Sequence, residues 1–171
     1  MVWDRVVRIV HWSLVIAVPI AYLTHGGLLG AHRAAGYWIA AMAALRIVWG
    51  FVGTPHARFV DFAPSPARLA KYLAQLVRGR EARHIGHNPA GGAMIVVLLA
   101  LLFAVSVTGF SLDTQSYRDD RSLHAVHDLL ADALIVCVVV HVVGVLYASA
   151  RHRENLIRAM FSGRKRDRDV A

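Results

Sequence analysis

The chain has a single cysteine, Cys137, among its 171 residues. That excludes an intrachain disulfide, a cysteine-only iron–sulfur centre and the C-x-x-C-H signature of covalently attached heme, and it leaves Cys137 reading as a small core residue. Charge is also sparse, 18% of residues against 57% hydrophobic, with a mean hydropathy of +0.48. This balance excludes an ordinary soluble domain, and residues 1–171 read as one integral membrane domain. No internal repeat is evident. The opening MVWDRVVRIVHWSLVIAVPIAYLTHGG has the charge-then-apolar order of a signal peptide. It lacks a small-x-small cleavage site and feeds into further apolar spans, so it reads as a retained first transmembrane helix. The formal charge of +8 comes without an aromatic-interleaved basic face, so no nucleic-acid partner is expected.

What is present is four apolar spans, at about 6–24, 34–53, 92–112 and 127–150, each near the 20 residues a helix needs to cross about 30 Å of hydrocarbon. Scattered Ser, Gly, Ala and Thr suit close helix packing in lipid. Basic residues sort by side. Arg5 and Arg8 precede or open span one; Arg58, Arg68, Lys71, Arg78, Arg80 and Arg83 lie between spans two and three; seven more occupy the basic tail 151–171. The other two connections hold only Arg33, and Arg118 with Arg121 offset by Asp113, Asp119 and Asp120. The positive-inside rule then puts both termini in the cytoplasm. The expected fold is all-α, an integral membrane four-helix bundle running up-down-up-down. Residues 66–78 read as an amphipathic helix in the headgroup region, with Leu69, Tyr72, Leu73, Leu76 and Val77 on one face. Leu156, Ile157, Met160 and Phe161 suggest a similar anchoring piece. Asn88 and Pro89 mark the start of span three, which has no interior histidine and reads as the scaffold.

The chemistry sits in histidines. His127 and His141 share the helix that runs from Leu123 to Arg151. Fourteen residues bring their side chains to within about 40° of each other, ~21 Å apart along the axis. His141 lies in the unbroken apolar run 135–145, where an imidazole without a partner would cost several kcal/mol. Neutral imidazole is a common ligand for metals, heme iron included, and two sites on one helix suggest two stacked hemes. Depth sorts the ten histidines: His11 and His141 share a cytoplasmic-side level, His32 and His127 a periplasmic-side level. Gly36, one turn after His32, leaves room for a flat macrocycle. Arg8, near His11, and Arg33, beside His32, are cations suited to propionates, though inside-charge and headgroup contacts account for them equally. His25 competes with His32, since it too lies fourteen residues from His11; His32 is preferred because His25 directly precedes Gly26 and Gly27, where the helix should end. His56, His84, His87 and His152 read as solvated on the cytoplasmic side, and His124 as a cover over the periplasmic site.

Together WDRVVRIVHW, HRAAGY, LRIVWGFVGTPHARFVDF, GHNPAGGAM and the His-x13-His of span four, followed by RHRENLIRAMFSGRKR, resemble the bacterial cytochrome b561 and nickel–iron hydrogenase b-type cytochrome superfamily, in particular its small "cytochrome b/b6 domain" branch. The resemblance covers almost the whole chain. It implies a multi-pass protein of the bacterial inner membrane with two heme b groups, ligands on helices one, two and four matching His11, His32, His127 and His141, and electron exchange with quinone or quinol. The tight connection between spans one and two leaves little surface for a large periplasmic partner such as a hydrogenase.

With two histidines per iron, electron transfer is favoured over oxygen binding. Arg46 and Asp132, the other charges well within the spans, are candidates for a quinone site, with structural pairing the stronger explanation. Two other readings stand beside this one. A divalent metal transporter or sensor would use His25, His32, His124 and His127, but offers no reason for His11 and His141. A membrane anchor for a soluble dehydrogenase would make the histidines dispensable. Donor, acceptor (a cytochrome c and superoxide among them) and oligomeric state, including a homodimer, are left open.

Overall fold

The computed structural model describes residues 3–80 and 87–164. Arg83, His84 and positions 165–171 of the basic tail lie outside the described residues. Within them are seven helices and no strand: α1 (Arg5–Thr24), α2 (Leu29–Val52), α3 (Phe59–Phe62), α4 (Pro66–Val77), α5 (Pro89–Asp113), α6 (Arg121–Arg151) and α7 (Leu156–Ser162). Four of these, α1, α2, α5 and α6, are long and apolar enough to cross a membrane.

Side-chain caps set most helix starts by taking up orphan N–H groups. Asp4 accepts from the Val7 amide at 2.9 Å and Asn88 from that of Gly91 at 2.7 Å, while Asp120 accepts from Ser122 and Leu123. The Asp120 cap explains why α6 begins six residues before His127: the charges at this connection start a helix as well as balance Arg118 and Arg121. α2 likewise starts earlier than hydropathy alone indicates, at Leu29, because a turn of only four residues follows α1, with the Leu28 amide on Thr24 O at 3.1 Å.

Ala17 and Val18 of α1, Ile39 and Ala43 of α2, Leu99 and Leu102 of α5, and Leu134 of α6 form the buried core. Leu134 lies seven residues from both His127 and His141, two turns either way and on the same face. The core therefore sits between the two histidine levels. Large apolar side chains point outward, with Leu23 79% and Leu129 69% exposed, a surface that suits lipid and not water.

At the end of the bundle where α1 begins, Asp4 is a hub. Its Oδ2 accepts from Trp49 Nε1 at 2.8 Å and Thr54 Oγ1 at 2.6 Å, tying the start of α1 to the end of α2. Burial acts to raise its pKa, but the bonds from Thr54, the Val7 amide and Trp49 outweigh it and hold the carboxyl below the ordinary aspartate range. Phe62 of α3 lies so close to Gly92 of α5 that a Cβ there would strike the Phe62 carbonyl oxygen. α7 closes on α1. Arg8 Nη2 donates to Phe161 O, Trp12 stacks on Phe161 with centroids 4.0 Å apart, and Trp3 N donates to Gly163 O at 3.3 Å.

Candidate functional site

Two pairs of imidazoles face each other across the bundle. His11 of α1 and His141 of α6 have ring centroids 6.5 Å apart; His32 of α2 and His127 of α6 are 6.2 Å apart. All four rings are only partly accessible. Their surroundings differ. His32 Nδ1 lies 2.8 Å from the Ala21 carbonyl, which can only accept, so that nitrogen carries the proton and Nε2 is left with its lone pair. His127 Nδ1 lies 2.8 Å from Thr108 Oγ1, whose own hydrogen is within reach of the Ala104 and Val105 carbonyls at 3.0 Å each. The threonine therefore accepts from His127. His11 Nδ1 is buried with no hydrogen-bond partner.

His25 turns back on its own helix, with Nδ1 2.5 Å from Tyr22 O, and is exposed. The ring that meets His127 is that of His32. His124 is exposed on the first turn of α6, bonded to Asp120 O at 2.9 Å. Among the described residues no three His, Cys, Asp or Glu side chains converge as a metal-ion site, so the four histidines of the transporter reading are not assembled. A Cβ at Gly36 would meet nothing within 4 Å, and the same holds at Gly144, three residues after His141.

Several sequence expectations need correction. His87 is not solvated: its ring packs 4.4 Å from Trp3 and 5.0 Å from Phe62, because the start of α5 is drawn under α3. Arg33, read as a cation for propionates or headgroups, is bridged to Asp113 at 3.2 Å. Arg46, 6% exposed, has no hydrogen bond to a carboxylate; its guanidinium lies over the rings of Phe59 and Phe62, 5.8 and 5.6 Å from their centroids. Asp132 is paired, as the stronger of its two explanations had it, accepting from Tyr22 OH at 3.1 Å. Thr108 escaped the sequence reading: a hydroxyl in the apolar third span was the available signal, but only its position across from His127 gives it a role.

The family model described as prokaryotic cytochrome b561 matches residues 2–163. The chain belongs to that family. This b561-family chain is thus a multi-pass membrane b-type cytochrome, an electron-transfer protein whose cofactor is heme b. Relatives named "Probable Ni/Fe-hydrogenase B-type cytochrome subunit" include those of Bradyrhizobium diazoefficiens (27% identical, 98% of this chain and 86% of the relative), Azotobacter vinelandii (27%, 95% and 86%) and Cupriavidus necator (23%, 98% and 87%). No solved structure matches.

The paired histidines of this b561-family chain fit heme iron. An imidazole nitrogen binds a transition metal at about 2.0 Å and lies roughly 1.1 Å from its ring centre, so two trans imidazoles on one iron have centroids about 6 Å apart. Both observed separations match that.

Proposed function

We propose that the protein is a diheme b-type cytochrome that moves electrons across the bacterial inner membrane between a redox partner and the quinone pool. The observation that carries this reading is the doubled imidazole gap, 6.5 Å at His11–His141 and 6.2 Å at His32–His127. Each pair would hold one heme b, which would supply a one-electron iron couple and, with two histidines as ligands, would leave no position open for oxygen. The Ala21 carbonyl and Thr108 fix the orientation of His32 and His127 and make them more basic ligands. Apolar side chains around Leu134 keep water from the space between the two levels. Gly36 and Gly144 leave open space beside His32 and His141.

The contacts at both ends support an up-down-up-down bundle: the start of α1 bonds the end of α2 through Asp4 and Trp49, and Ala21, near the end of α1, bonds His32, near the start of α2. Arginine sorting supports cytoplasmic termini, with the His11–His141 level nearer the cytoplasm. The names of the relatives favour a second reading, in which a docked dehydrogenase is the electron donor. Against a large partner at the α1–α2 turn stands its length of four residues. The Bradyrhizobium alignment also spans 213 positions, about 45 more than this chain fills.

The test is a reduced-minus-oxidised spectrum with heme quantitation on wild type, His141→Ala and His127→Ala. Two hemes per chain, and one in each variant, are expected. A wild-type protein purified colourless from heme-replete cells would sink the reading.

A further inference from the structure

Three buried side-chain nitrogens without a hydrogen-bond partner fall within one turn of α1: Arg8 Nε, His11 Nδ1 and Trp12 Nε1. Spaced i, i+3 and i+4, they share one face of the helix. Trp12 Nε1 and Arg8 Nε can only donate, and His11 Nδ1 donates whenever its Nε2 serves as ligand. Leaving a buried donor unmet incurs its whole desolvation penalty. A row of three therefore describes a place built for an acceptor.

The surroundings narrow what that acceptor is. The Trp12 ring lies between the His11 ring, edge-on at 5.2 Å, and Phe161, stacked at 4.0 Å. Arg8 spends Nη2 on Phe161 O, and a Cβ at Gly163 would come within 3.2 Å of Nη1. Gly163 ends α7 in the left-handed region at φ 75°, a conformation that glycine adopts without steric cost. α7 thus packs against Arg8 and Trp12, whose spacing puts them on the face of α1 that carries His11.

We propose that Arg8 Nε and Trp12 Nε1 form a carboxylate cradle for a propionate of the heme seated between His11 and His141, with α7 as the cover that closes it. The inference rests on the diheme reading. A lipid phosphate offers the same acceptor chemistry; the propionate is preferred because the donors flank a heme ligand on its own face.

The experiment is a redox titration of the full, heme-loaded chain as wild type, Arg8→Gln and Trp12→Phe, the last of which keeps an aromatic ring against Phe161. Heme is quantified first, so a wild type without two hemes is recognised as failure of the diheme reading itself. With two hemes present, Trp12→Phe lowers the midpoint potential of the heme that His141→Ala removes, and leaves the other unchanged, because a propionate that loses a donor stabilises ferric iron more. The resonance Raman propionate bending band moves with it. When the chain carries heme b dimethyl ester, whose propionates are capped, wild type and Trp12→Phe titrate alike. Equal potentials with natural heme, or the same shift with the dimethyl ester, would overturn the proposal. A shift that follows the anionic lipid content of nanodiscs instead would assign the cradle to a phosphate and overturn the heme assignment.

Discussion

Arg33, next in sequence to His32, is bridged to Asp113 at the end of α5, Nη2 to Oδ1, at 3.2 Å. The same carboxylate accepts from Tyr37 OH, one turn further along α2. The cation beside His32 is thereby committed to a protein carboxylate, and the pair joins α2 to α5 near the level of His32.

Because the Arg33–Asp113 pair is partly exposed, at 43% and 26% of the two side chains, it contributes about 0.5 kcal/mol. Asp113→Asn and Arg33→Gln are therefore each expected to retain two hemes, with thermal stability in detergent almost unchanged. Heme loss in Arg33→Gln alone, with Asp113→Asn normal, would return Arg33 to the role of propionate ligand.

The two histidine pairs differ in their hydrogen bonds. Both His32 and His127 donate to an oxygen, which would make them more basic ligands and favour ferric iron in a heme held there, whereas His11 has no such partner among the described residues. The heme at His32–His127 is expected to have the lower midpoint potential. Thr108→Val should raise that potential and leave the other heme unmoved; potentiometric titration, with His141→Ala to isolate one signal, reads both.

Gly36 adjoins open space, since a Cβ at this position would have no neighbour within 4 Å. In apoprotein, Gly36→Leu should fold at least as well as wild type, since leucine favours a helix interior over glycine by about 1 kcal/mol. Its heme stoichiometry should fall from two to one. Two hemes in this variant would show that the gap beside His32 is not macrocycle space.

Asp4 makes its bonds to Trp49 and Thr54 as a carboxylate with a depressed pKa. A group of this kind stabilises the fold above its unfolded pKa and loses that contribution as pH falls through the folded value. The melting temperature of Asp4→Asn should thus lie below wild type at pH 7, and the gap should begin to close as pH falls below about 4 and vanish only below the depressed folded value. A gap that persists unchanged to pH 2 would assign the effect to lost geometry instead of charge.

The apolar spans and the ring pairing were legible because both follow from counting. Twenty apolar residues set a crossing, and fourteen residues along α6 set two levels on one face. Depth then separated His11 from His32. What counting could not supply was contact between helices. Arg33 reads as a cation for propionates or headgroups until Asp113 is brought beside it, and His87 reads as solvated until α3 covers the start of α5. Thr108 is one hydroxyl among several small polar residues in the spans. Arg46 resisted for a different reason: a buried guanidinium leads one to look for a carboxylate, and its partners are the faces of Phe59 and Phe62, residues with no charge to announce them.

The closure of α7 over α1 also sets an order of events during synthesis. Arg8 and Phe161 are 153 residues apart in the chain. At roughly 5–20 residues per second, about eight to thirty seconds pass between the ribosome's release of one and of the other. Throughout that interval Arg8 and Trp12 stand uncovered by α7, and His141, twenty residues before Phe161, joins them only for about the last one to four seconds. α7 can therefore close on α1 only after the four membrane-spanning helices, with all four paired histidines, have been made.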